Sequence, residues 1–397
     1  MRDLPFWRAA ALLLLLPFGS VRAQGIALGN DITLTVGGIL SATVFTSNAR
    51  FGLGEGQQSN FVVTELEDWW HGGDVRNMRL TLKLAGPSFS GDWRSAATAE
   101  GDLFGGFNGA GAFGDEQPVP RLRLAFAEVT NGSTTFRVGQ DWSLLLGNIP
   151  VSVSHIGFPL GWGSGGFIGW RFPGIFLDQA LTPRGASTKA TLRLGVLKNS
   201  WVDKATADQP SAGEAGMPQL EARLNLDGTL SPGSWSVYLA GHWDEKDLNN
   251  VRPKGSPEPP ENNLTSTAVQ AGARVQTGAM TIHGNIYSGK AMGHHFAHIV
   301  QFGDIEGWGA WAQAGLELSS RWSIWLYYGR DDPQDDDLPA DNSRLQSALL
   351  VPMLRFKVGP YSTGIEWLQS WVDYRTAGGG VVERSGSSVL YSVRFDF

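Results

Sequence analysis

The strongest constraint on how this chain can fold is a repeated alternation of apolar and polar residues. The segments 78–84, 190–196, 220–227 and 235–241 each place apolar side chains at every second position. A period of two with one apolar face is the signature of a β-strand. Soluble β-sandwiches show the same alternation, so it predicts strands but not their environment.

The lengths of the connections between these strands distinguish a membrane barrel from a soluble sandwich. About sixteen candidate strands run from about Ile32 to Phe397, and their connections alternate between long and short. The long connections lie near 48–74, 104–119, 141–172, 199–217, 245–262, 289–304, 331–342 and 376–386. The short ones lie near Gly86-Pro87, Asn131-Gly132, 183–185, 227–233, Thr277-Gly278, Ser319-Ser320 and Gly359-Pro360. Tight periplasmic turns and longer extracellular loops are typical of membrane barrels. The sequence therefore predicts an all-β, antiparallel transmembrane barrel of about sixteen strands.

The end of the chain supports the same fold. Residues 389–397 alternate apolar and polar side chains and finish on the aromatic Phe397. Such a strand closes a barrel by pairing with the first strand, near 32–46, which removes free sheet edges. A terminal aromatic of this kind resembles the assembly signal of Gram-negative outer-membrane proteins.

Composition narrows the class of protein. Charged residues make up 17% of the chain, the net charge is −7, and cysteine is absent. These values argue against a coiled coil, a basic nucleic-acid binder and a thiolate metal site. At the start, Arg2 and Arg8 flank an apolar run at 9–16 that is too short to span a bilayer. We expect residues 1–23 to be a cleaved signal peptide and residues 24–397 to form one barrel in the outer membrane.

Four sequence runs carry a family resemblance. Residues 77–85 (NMRLTLKLA), 99–105 (AEGDLFG), 121–128 (RLRLAFAE) and 137–143 (RVGQDWS) resemble successive strands of the DcaP-like trimeric porins of Gram-negative outer membranes. The resemblance covers about 74–145, and it implies a trimeric diffusion channel. Family members often carry a coiled-coil segment before the barrel, whereas here residues 25–31 lead almost directly into the first strand.

Strand parity predicts a basic lumen wall. With the apolar face turned to lipid, the first half of the barrel turns these cations inward: Arg79, Lys83, Arg94, Arg121, Arg123, Arg137, Lys189, Arg193 and Arg223. The opposing acids are Glu100, Asp102, Glu221 and Asp227, and other acids fall in the long connections, such as Glu65, Glu67, Asp68, Asp115, Glu116 and 331–337. Aligned cations in a low-dielectric pore favour anions. Alternatively, these arginines pair with carboxylates and only stiffen the wall.

The longest connection, about 141–172, is predicted to fold inward as a constriction loop. It is rich in glycine and aromatic residues, with Phe158, Trp162, Phe167 and Trp170 among them. Only Asp141, His155 and Arg171 are titratable. An extracellular loop this apolar would be prone to aggregation, and long loops are commonly functional. An adhesive or trimer-latching loop is the alternative.

Three further groups of residues are candidate sites. His294, His295 and His298 have a spacing that could hold a metal, but an exposed loop is favoured. The acidic residues of 331–337 could bind Ca²⁺, although a solvated loop is favoured. The small residues Ala97, Ala99 and Gly101 lie on the outward parity and suggest a subunit contact. We expect no metal, no cofactor and no catalytic site.

The predicted function is a passive outer-membrane porin for small hydrophilic solutes that prefers small anions such as carboxylates. Its expected partners are outer-membrane lipid, lipopolysaccharide and two further copies in a homotrimer, with no nucleic acid. The alternatives are a barrel enzyme with a site on the wall or rim, and a blocked barrel with a structural or adhesive role.

Overall fold

The structure is a computed structural model that describes residues 25–29, 31–107, 117–199, 217–247 and 263–397. The predicted signal segment 1–23 lies outside the described residues, as do Asp115 and Glu116. No helix among the described residues is long and apolar enough to cross a membrane.

The described residues form strands and three short 3-10 turns at Gly56–Gln58, Gly293–His295 and Asp335–Asp337. The strands are β1 (Gly25–Gly29), β2 (Ile32–Phe51), β3 (Val62–Asp74), β4 (Arg79–Ser90), β5 (Trp93–Asp102), β6 (Arg121–Thr130), β7 (Thr134–Trp142), β8 (Arg171–Ala180), β9 (Thr188–Leu197), β10 (Met217–Leu230), β11 (Gly233–Asp247), β12 (Asn263–Thr277), β13 (Met280–Lys290), β14 (Glu306–Glu317), β15 (Trp322–Pro333), β16 (Arg344–Val358), β17 (Tyr361–Arg375) and β18 (Val381–Asp396).

β3 and β4 together make one interrupted barrel strand. β3 pairs with residues 43–51 of β2, and β4 pairs with residues 33–39 of the same strand. The interruption lies at residues 75–78. β1 adds only a short stretch beside the start of β2. With β3 and β4 counted as one strand and β1 left aside, the sheet is a closed antiparallel barrel of sixteen strands, which confirms the predicted fold class.

The barrel closes between its last and first strands. Residues 388–396 of β18 pair antiparallel with residues 39–47 of β2. Beyond them, Gly38 and Phe397 exchange two backbone hydrogen bonds of 2.9 and 3.1 Å. The predicted pairing of the chain end with the first strand is therefore confirmed, and neither strand is left as a free edge.

The connections at the two ends of the barrel differ in length. At one end they contain 10, 18, 28, 19, 15, 15, 10 and 5 residues, and at the other 2, 3, 7, 2, 2, 4 and 2. The sorting into long and short connections is the predicted one. Residues 376–380 and 181–187 depart from it, since the first is a short loop and the second a long turn.

Several predicted strand boundaries are wrong. The turn expected at 227–233 is only 231–232, and the loop expected at 376–386 is only 376–380, because β10 and β18 extend into them. The turn expected at Gly86-Pro87 lies at 91–92, because irregular pairing after Ala85 lets β4 continue past a proline that cannot donate a hydrogen bond. The loop expected at 48–74 is only 52–61, because β2 and β3 both extend into the predicted loop.

The acids of these regions therefore lie on strands rather than in loops. Glu65, Glu67 and Asp68 belong to β3, where Glu65 accepts a hydrogen bond from the Ser385 backbone N–H at 2.7 Å. Asp331 belongs to β15 and is fully buried, with its carboxylate accepting a hydrogen bond from the Tyr287 hydroxyl at 2.9 Å. The predicted acidic loop is thus reduced to the exposed turn Asp335–Asp337.

The outer wall carries an apolar belt. Large side chains such as Leu80, Leu239, Ile286 and Ile365 keep at least half of their surface exposed. Apolar exposure on this scale is unfavourable in water, whereas a closed barrel with an apolar band satisfies both its backbone and its side chains in lipid. The barrel is therefore built to span a membrane.

A charge on this belt should be costly. We expect Leu82→Arg to destabilise the folded barrel by about 2–4 kcal/mol, because the side chain would face lipid. In the matched variant Thr81→Arg the new side chain would point into the lumen, where Thr81 lines a cavity and donates a hydrogen bond to Glu100. This variant should therefore fold normally. Urea unfolding in lipid vesicles measures both variants. Equal losses at the two positions would contradict the assigned faces.

Candidate functional site

The connection 143–170 between β7 and β8 folds into the barrel. Its residues Trp162, Phe167 and Ile168 have no exposed surface. Glycine is required where the loop meets the wall, since a Cβ on Gly166 would stand 2.2 Å from the backbone nitrogen of Ala310. We call this segment the long inner loop.

The ends of the long inner loop differ slightly from the prediction of 141–172. Asp141 lies in β7 and Arg171 begins β8. His155 is inside the loop, and its Nε2 donates to the backbone carbonyl of Ser59 at 2.7 Å. The loop is therefore fastened at its centre to the connection between β2 and β3.

A single buried carboxylate on β17 also fastens the long inner loop. Glu366 is 1% exposed. It accepts hydrogen bonds from the backbone N–H of Val153 at 2.6 Å, from the hydroxyl of Ser152 at 2.8 Å and from the hydroxyl of Ser154. Charge-assisted bonds to an ionised acceptor are stronger than neutral ones. Glu366 thus holds residues 152–154 against the barrel wall.

The connection 291–305 between β13 and β14 is a second loop inside the barrel, and we call it the histidine loop. His295 is fully buried, and its carbonyl accepts a hydrogen bond from the Gly169 N–H at 2.9 Å. Phe296 stacks on Trp162 with ring centroids 4.6 Å apart. The expectation that the histidines lie on an exposed loop is wrong, because apolar neighbours such as Met292 draw the whole segment inward.

Part of the histidine loop has an unusual backbone. His298, Ile299 and Val300 are three consecutive left-handed residues, with φ of 56°, 54° and 56°. This conformation costs about 1–2 kcal/mol per residue without glycine. Tertiary contacts must offset that cost, and among them Arg344 donates to the Ile299 carbonyl at 2.9 Å.

Burial also sets the protonation of the histidine loop. Loss of solvent lowers the pKa of His295 to about 4 and holds the pKa of His294 well below its ordinary value. The pKa of His298 falls to about 4 for the same reason. All three imidazoles are therefore neutral at neutral pH.

Arginines and aromatic rings meet where the two loops cross the lumen. Arg121 lies over Phe158 at 5.4 Å and over Trp170 at 5.6 Å, and Arg171 lies over Trp170 at 4.3 Å. Such placement over a ring face is a cation–π contact. We call the group the arginine–aromatic cluster; it comprises Arg79, Arg121, Arg123, Arg171, Phe104, Trp142, Phe158, Trp162, Trp170 and Phe296.

Two carboxylates of β5 hold three of these arginines. Asp102 contacts both Arg121 and Arg123 at 2.7 Å. Glu100 contacts Arg123 at 2.8 Å and Arg79 at 3.6 Å. The alternative left open by the sequence, that lumen arginines pair with carboxylates, therefore describes this part of the wall.

Arg171 differs from the other arginines of the cluster. It is 4% exposed, its Nη1 has no hydrogen-bond partner, and no carboxylate of the described chain lies within ion-pair distance of it. The cluster contains four arginines, and two carboxylates pair with three of them. Its net charge, with both carboxylates counted, is therefore +2.

A second set of ion pairs follows along β6 to β9. Arg137 contacts Glu128 at 3.1 Å, Asp141 at 2.8 Å and Asp178 at 3.8 Å, and Arg193 contacts Asp178 at 2.8 Å. Two arginines thus meet three carboxylates. The predicted basic wall does not extend to this set.

A β-bulge explains why parity missed one of these acids. Arg123 and Leu124 together oppose Glu100, so the alternation of β6 reverses after Arg123. Gln140 donates its side-chain N–H to the Arg123 carbonyl at 2.8 Å, which satisfies the backbone at the bulge. As a result Glu128 faces the lumen, although uninterrupted alternation would turn it to lipid.

The remaining predicted lumen cations lie apart from the cluster. Lys83 lines an open cavity in the barrel, and Arg94 is exposed beside the turn at 91–92. Arg223 donates to the Leu146 carbonyl at 2.7 Å and lies 3.8 Å from the centre of the Tyr238 ring, so it holds the long inner loop.

The open cavity has a volume of about 890 Å³. It lies between β2, β4 to β7 and β9. Its charged lining comprises the cations Lys83, Arg137 and Arg193 and the acids Glu100, Glu128 and Asp141. Equal numbers of both signs make this part of the lumen polar but balanced.

A closed sixteen-strand antiparallel barrel with an apolar belt and inward loops defines the class of fold, which is that of porin-type transmembrane β-barrels. Solved structures agree. The outer-membrane channel DcaP of Acinetobacter baumannii superposes with a TM-score of 0.66 and 14% identity, over 94% of this chain and 99% of that one. The fold of this channel is the one that the sequence resemblance to DcaP-like porins implied.

Two other solved structures share the fold. An anion-selective porin from Comamonas acidovorans gives a TM-score of 0.56 at 15% identity, over 92% of this chain and 100% of that one. The trimer form of OmpT, an outer-membrane protein of Vibrio cholerae, gives 0.57 at 10% identity, over 92% and 99%. No protein-family model and no curated protein matches the sequence.

The Glu366 contact can be tested directly. We expect Glu366→Gln to lower the free energy of unfolding by about 1.5–3 kcal/mol, because it removes the charge that the donors of residues 152–154 share. Denaturant unfolding in detergent measures this change. Glu317→Gln is the matched control, since Glu317 is half exposed and, within the described part of the chain, forms an ion pair only with Arg355. A Glu366 variant as stable as the control would show that the anchor is unimportant.

Proposed function

We propose that this protein is a passive porin for small hydrophilic solutes and that it prefers small anions with an apolar or aromatic body, such as carboxylates. The observation that carries the proposal is the arginine–aromatic cluster, where two inward loops narrow the lumen beside uncompensated positive charge. In this proposal Arg79, Arg121 and Arg123 form the selective wall, and the long inner loop is the constriction.

The charge distribution supports an anion preference, but fewer residues would produce it than the nine lumen cations that the sequence predicts. Ion pairs cancel most of the field along β6 to β9, so selectivity would arise at the cluster alone. Its two net positive charges sit among aromatic rings that exclude water, and a low dielectric strengthens their field. The balanced cavity beside it would admit hydrated solutes of either sign.

A hydrolytic enzyme is the alternative to a channel. Ser154 Oγ lies 2.8 Å from His155 Nδ1, and the Glu366 carboxylate is adjacent. A nucleophilic triad needs the carboxylate on the ring nitrogen away from the serine. Here that nitrogen, Nε2, meets the Ser59 carbonyl, and Ser154 is fully buried. We therefore propose that these residues fasten the loop and that the barrel is a channel.

We also propose a homotrimer. Ala99 and Gly101 of β5 line an apolar groove of about 460 Å³ on the outer wall, bordered by Leu40, Leu82, Leu122 and Phe397. Small residues let membrane elements approach closely, so the groove fits a second copy of the chain. The rest of the belt would face outer-membrane lipid and lipopolysaccharide, with residues 1–23 as the export signal.

Planar-bilayer recording tests the channel and its selectivity together. The wild-type protein should conduct, and Arg171→Met should lower the anion-over-cation permeability ratio, most clearly at about 0.01 M salt, where screening is weak. Conductance in concentrated salt should change little.

The matched control is Arg321→Gln, which removes one exposed cation from a short turn. Its reversal potential should equal that of the wild type. Absence of any conductance would refute the channel, and equal reversal potentials for Arg171→Met and the wild type would refute the role of the cluster.

A bulky side chain in the groove should break the trimer. We expect Ala99→Trp to release monomers, measured by light scattering of detergent-extracted protein. Ala273→Trp is the control, because Ala273 is also small and exposed but lies on β12, on the far side of the barrel. If Ala99→Trp keeps the wild-type mass, this face is not the interface.

A further inference from the structure

Five titratable side chains meet in one buried group where the histidine loop contacts β10 and β11. They are Glu221, His242, Asp244, His294 and His295, and none is more than 7% exposed. One nitrogen from each imidazole can be chosen so that all three lie within 4.8 Å of one another. We call this group the histidine cluster. His298, which the sequence spacing groups with its neighbours, lies outside it.

The histidine cluster contains buried polar atoms without partners. These atoms are Nε2 of His242, Nδ1 of His295, both ring nitrogens of His294 and Oδ2 of Asp244. Buried polar groups are almost always hydrogen-bonded, so a concentration of unpaired ones calls for an explanation. Each of these imidazoles can present one lone pair to a cation, and the Asp244 carboxylate oxygen can present another.

The paired atoms of the same residues orient the unpaired ones. Glu221 Oε1 lies 3.1 Å from His242 Nδ1 and 3.3 Å from His295 Nε2, so both rings donate an N–H to this carboxylate. Their opposite nitrogens then present lone pairs. Lys246 Nζ lies 2.5 Å from Asp244 Oδ1, which leaves Oδ2 available. Metal-binding histidines are commonly held by a carboxylate on the far ring nitrogen in this manner.

The distances between the unpaired atoms fit a tetrahedral ion. Asp244 Oδ2 lies 3.3 Å from His242 Nε2 and 3.6 Å from His294 Nε2. Ligands bound to zinc at about 2.0–2.2 Å in a tetrahedron stand about 3.3–3.6 Å apart. One nitrogen of the His295 ring also lies within 4.8 Å of a nitrogen of His242 and of His294, so this ring borders the same point.

We propose that the histidine cluster is a binding site for one divalent transition metal of the zinc type. Its ligands are Nε2 of His242, Oδ2 of Asp244, a ring nitrogen of His294 and Nδ1 of His295. Imidazoles with one carboxylate suit zinc better than calcium or magnesium, which prefer oxygen alone. Four protein ligands leave no open position, as in structural zinc sites. This proposal differs from the expectation from sequence that no metal binds.

The metal would tie both inner loops to the barrel wall. His242 and Asp244 belong to β11, whereas His294 and His295 belong to the histidine loop. Glu221 also accepts a hydrogen bond from the Ser143 hydroxyl at 2.7 Å, at the start of the long inner loop. A cavity of about 520 Å³ borders His242.

Metal binding to the full-length folded protein tests the site without reference to conduction, so its outcome is independent of the proposed channel. The detergent-solubilised protein is treated with a chelator, and ZnCl₂ is then titrated by calorimetry, with metal content counted by mass spectrometry. We expect one zinc per chain and a higher unfolding temperature with zinc. His294→Ala should weaken binding at least about 100-fold, since loss of even an outer partner costs 10–100-fold.

His298→Ala is the matched control, because His298 is equally buried in the same loop but lies outside the cluster. It should keep the wild-type affinity. Glu221→Gln should retain one zinc per chain with an affinity about 10–100-fold lower. If His294→Ala does not fold, Co²⁺ bound to the wild type provides the readout, and strong tetrahedral d–d absorption is expected. Three results would each overturn the proposal: no stoichiometric zinc, equal zinc affinity of His294→Ala and the wild type, or an octahedral Co²⁺ spectrum. Any of them would indicate that hydrogen bonds alone hold the cluster together.

Discussion

Antiparallel pairing between β18 and β2 is the contact on which the whole structure depends. A membrane offers no water to unpaired backbone groups, so an open sheet would leave two unsatisfied edges in lipid. Closure by residues 388–396 removes both edges and at the same time creates an enclosed interior. Every other feature, from the apolar belt to the inward loops, exists because that interior is separated from lipid.

Two loops occupy part of the interior and pack on inward-facing strand side chains such as Trp311, Leu349 and Leu368. The long inner loop and the histidine loop bury Trp162, Met292 and His295 completely. They contact each other through Phe296 and Trp162, and they reach the wall through a few buried acids, Glu366 on β17 and Glu221 on β10. The protein thus has a core like that of a soluble domain, but it is built from chain segments that begin and end outside the membrane.

The fold could be predicted from the sequence because alternation, loop length and the terminal aromatic are local patterns. The site could be predicted only in part. Parity placed Arg121 and Arg123 correctly against the long inner loop, but it missed Glu128 because a bulge is invisible in an apolar alternation. The histidine loop was misjudged because its burial depends on aromatic contacts with a segment more than a hundred residues earlier in the chain. Ion pairing likewise depends on register between strands, which a single strand does not encode.

The bulge in β6 has a consequence for how related chains can differ. Arg123 and Leu124 share one partner, so the strand contains one residue more than its pairing requires. Removing Leu124 would restore a regular ladder and leave Arg121, Arg123 and Glu128 on the lumen side. Strand length can therefore change by one residue at this point without exchanging the two faces. At a regularly paired position the same deletion would turn every following lumen residue toward lipid, so natural length variation within this wall should concentrate at the bulge.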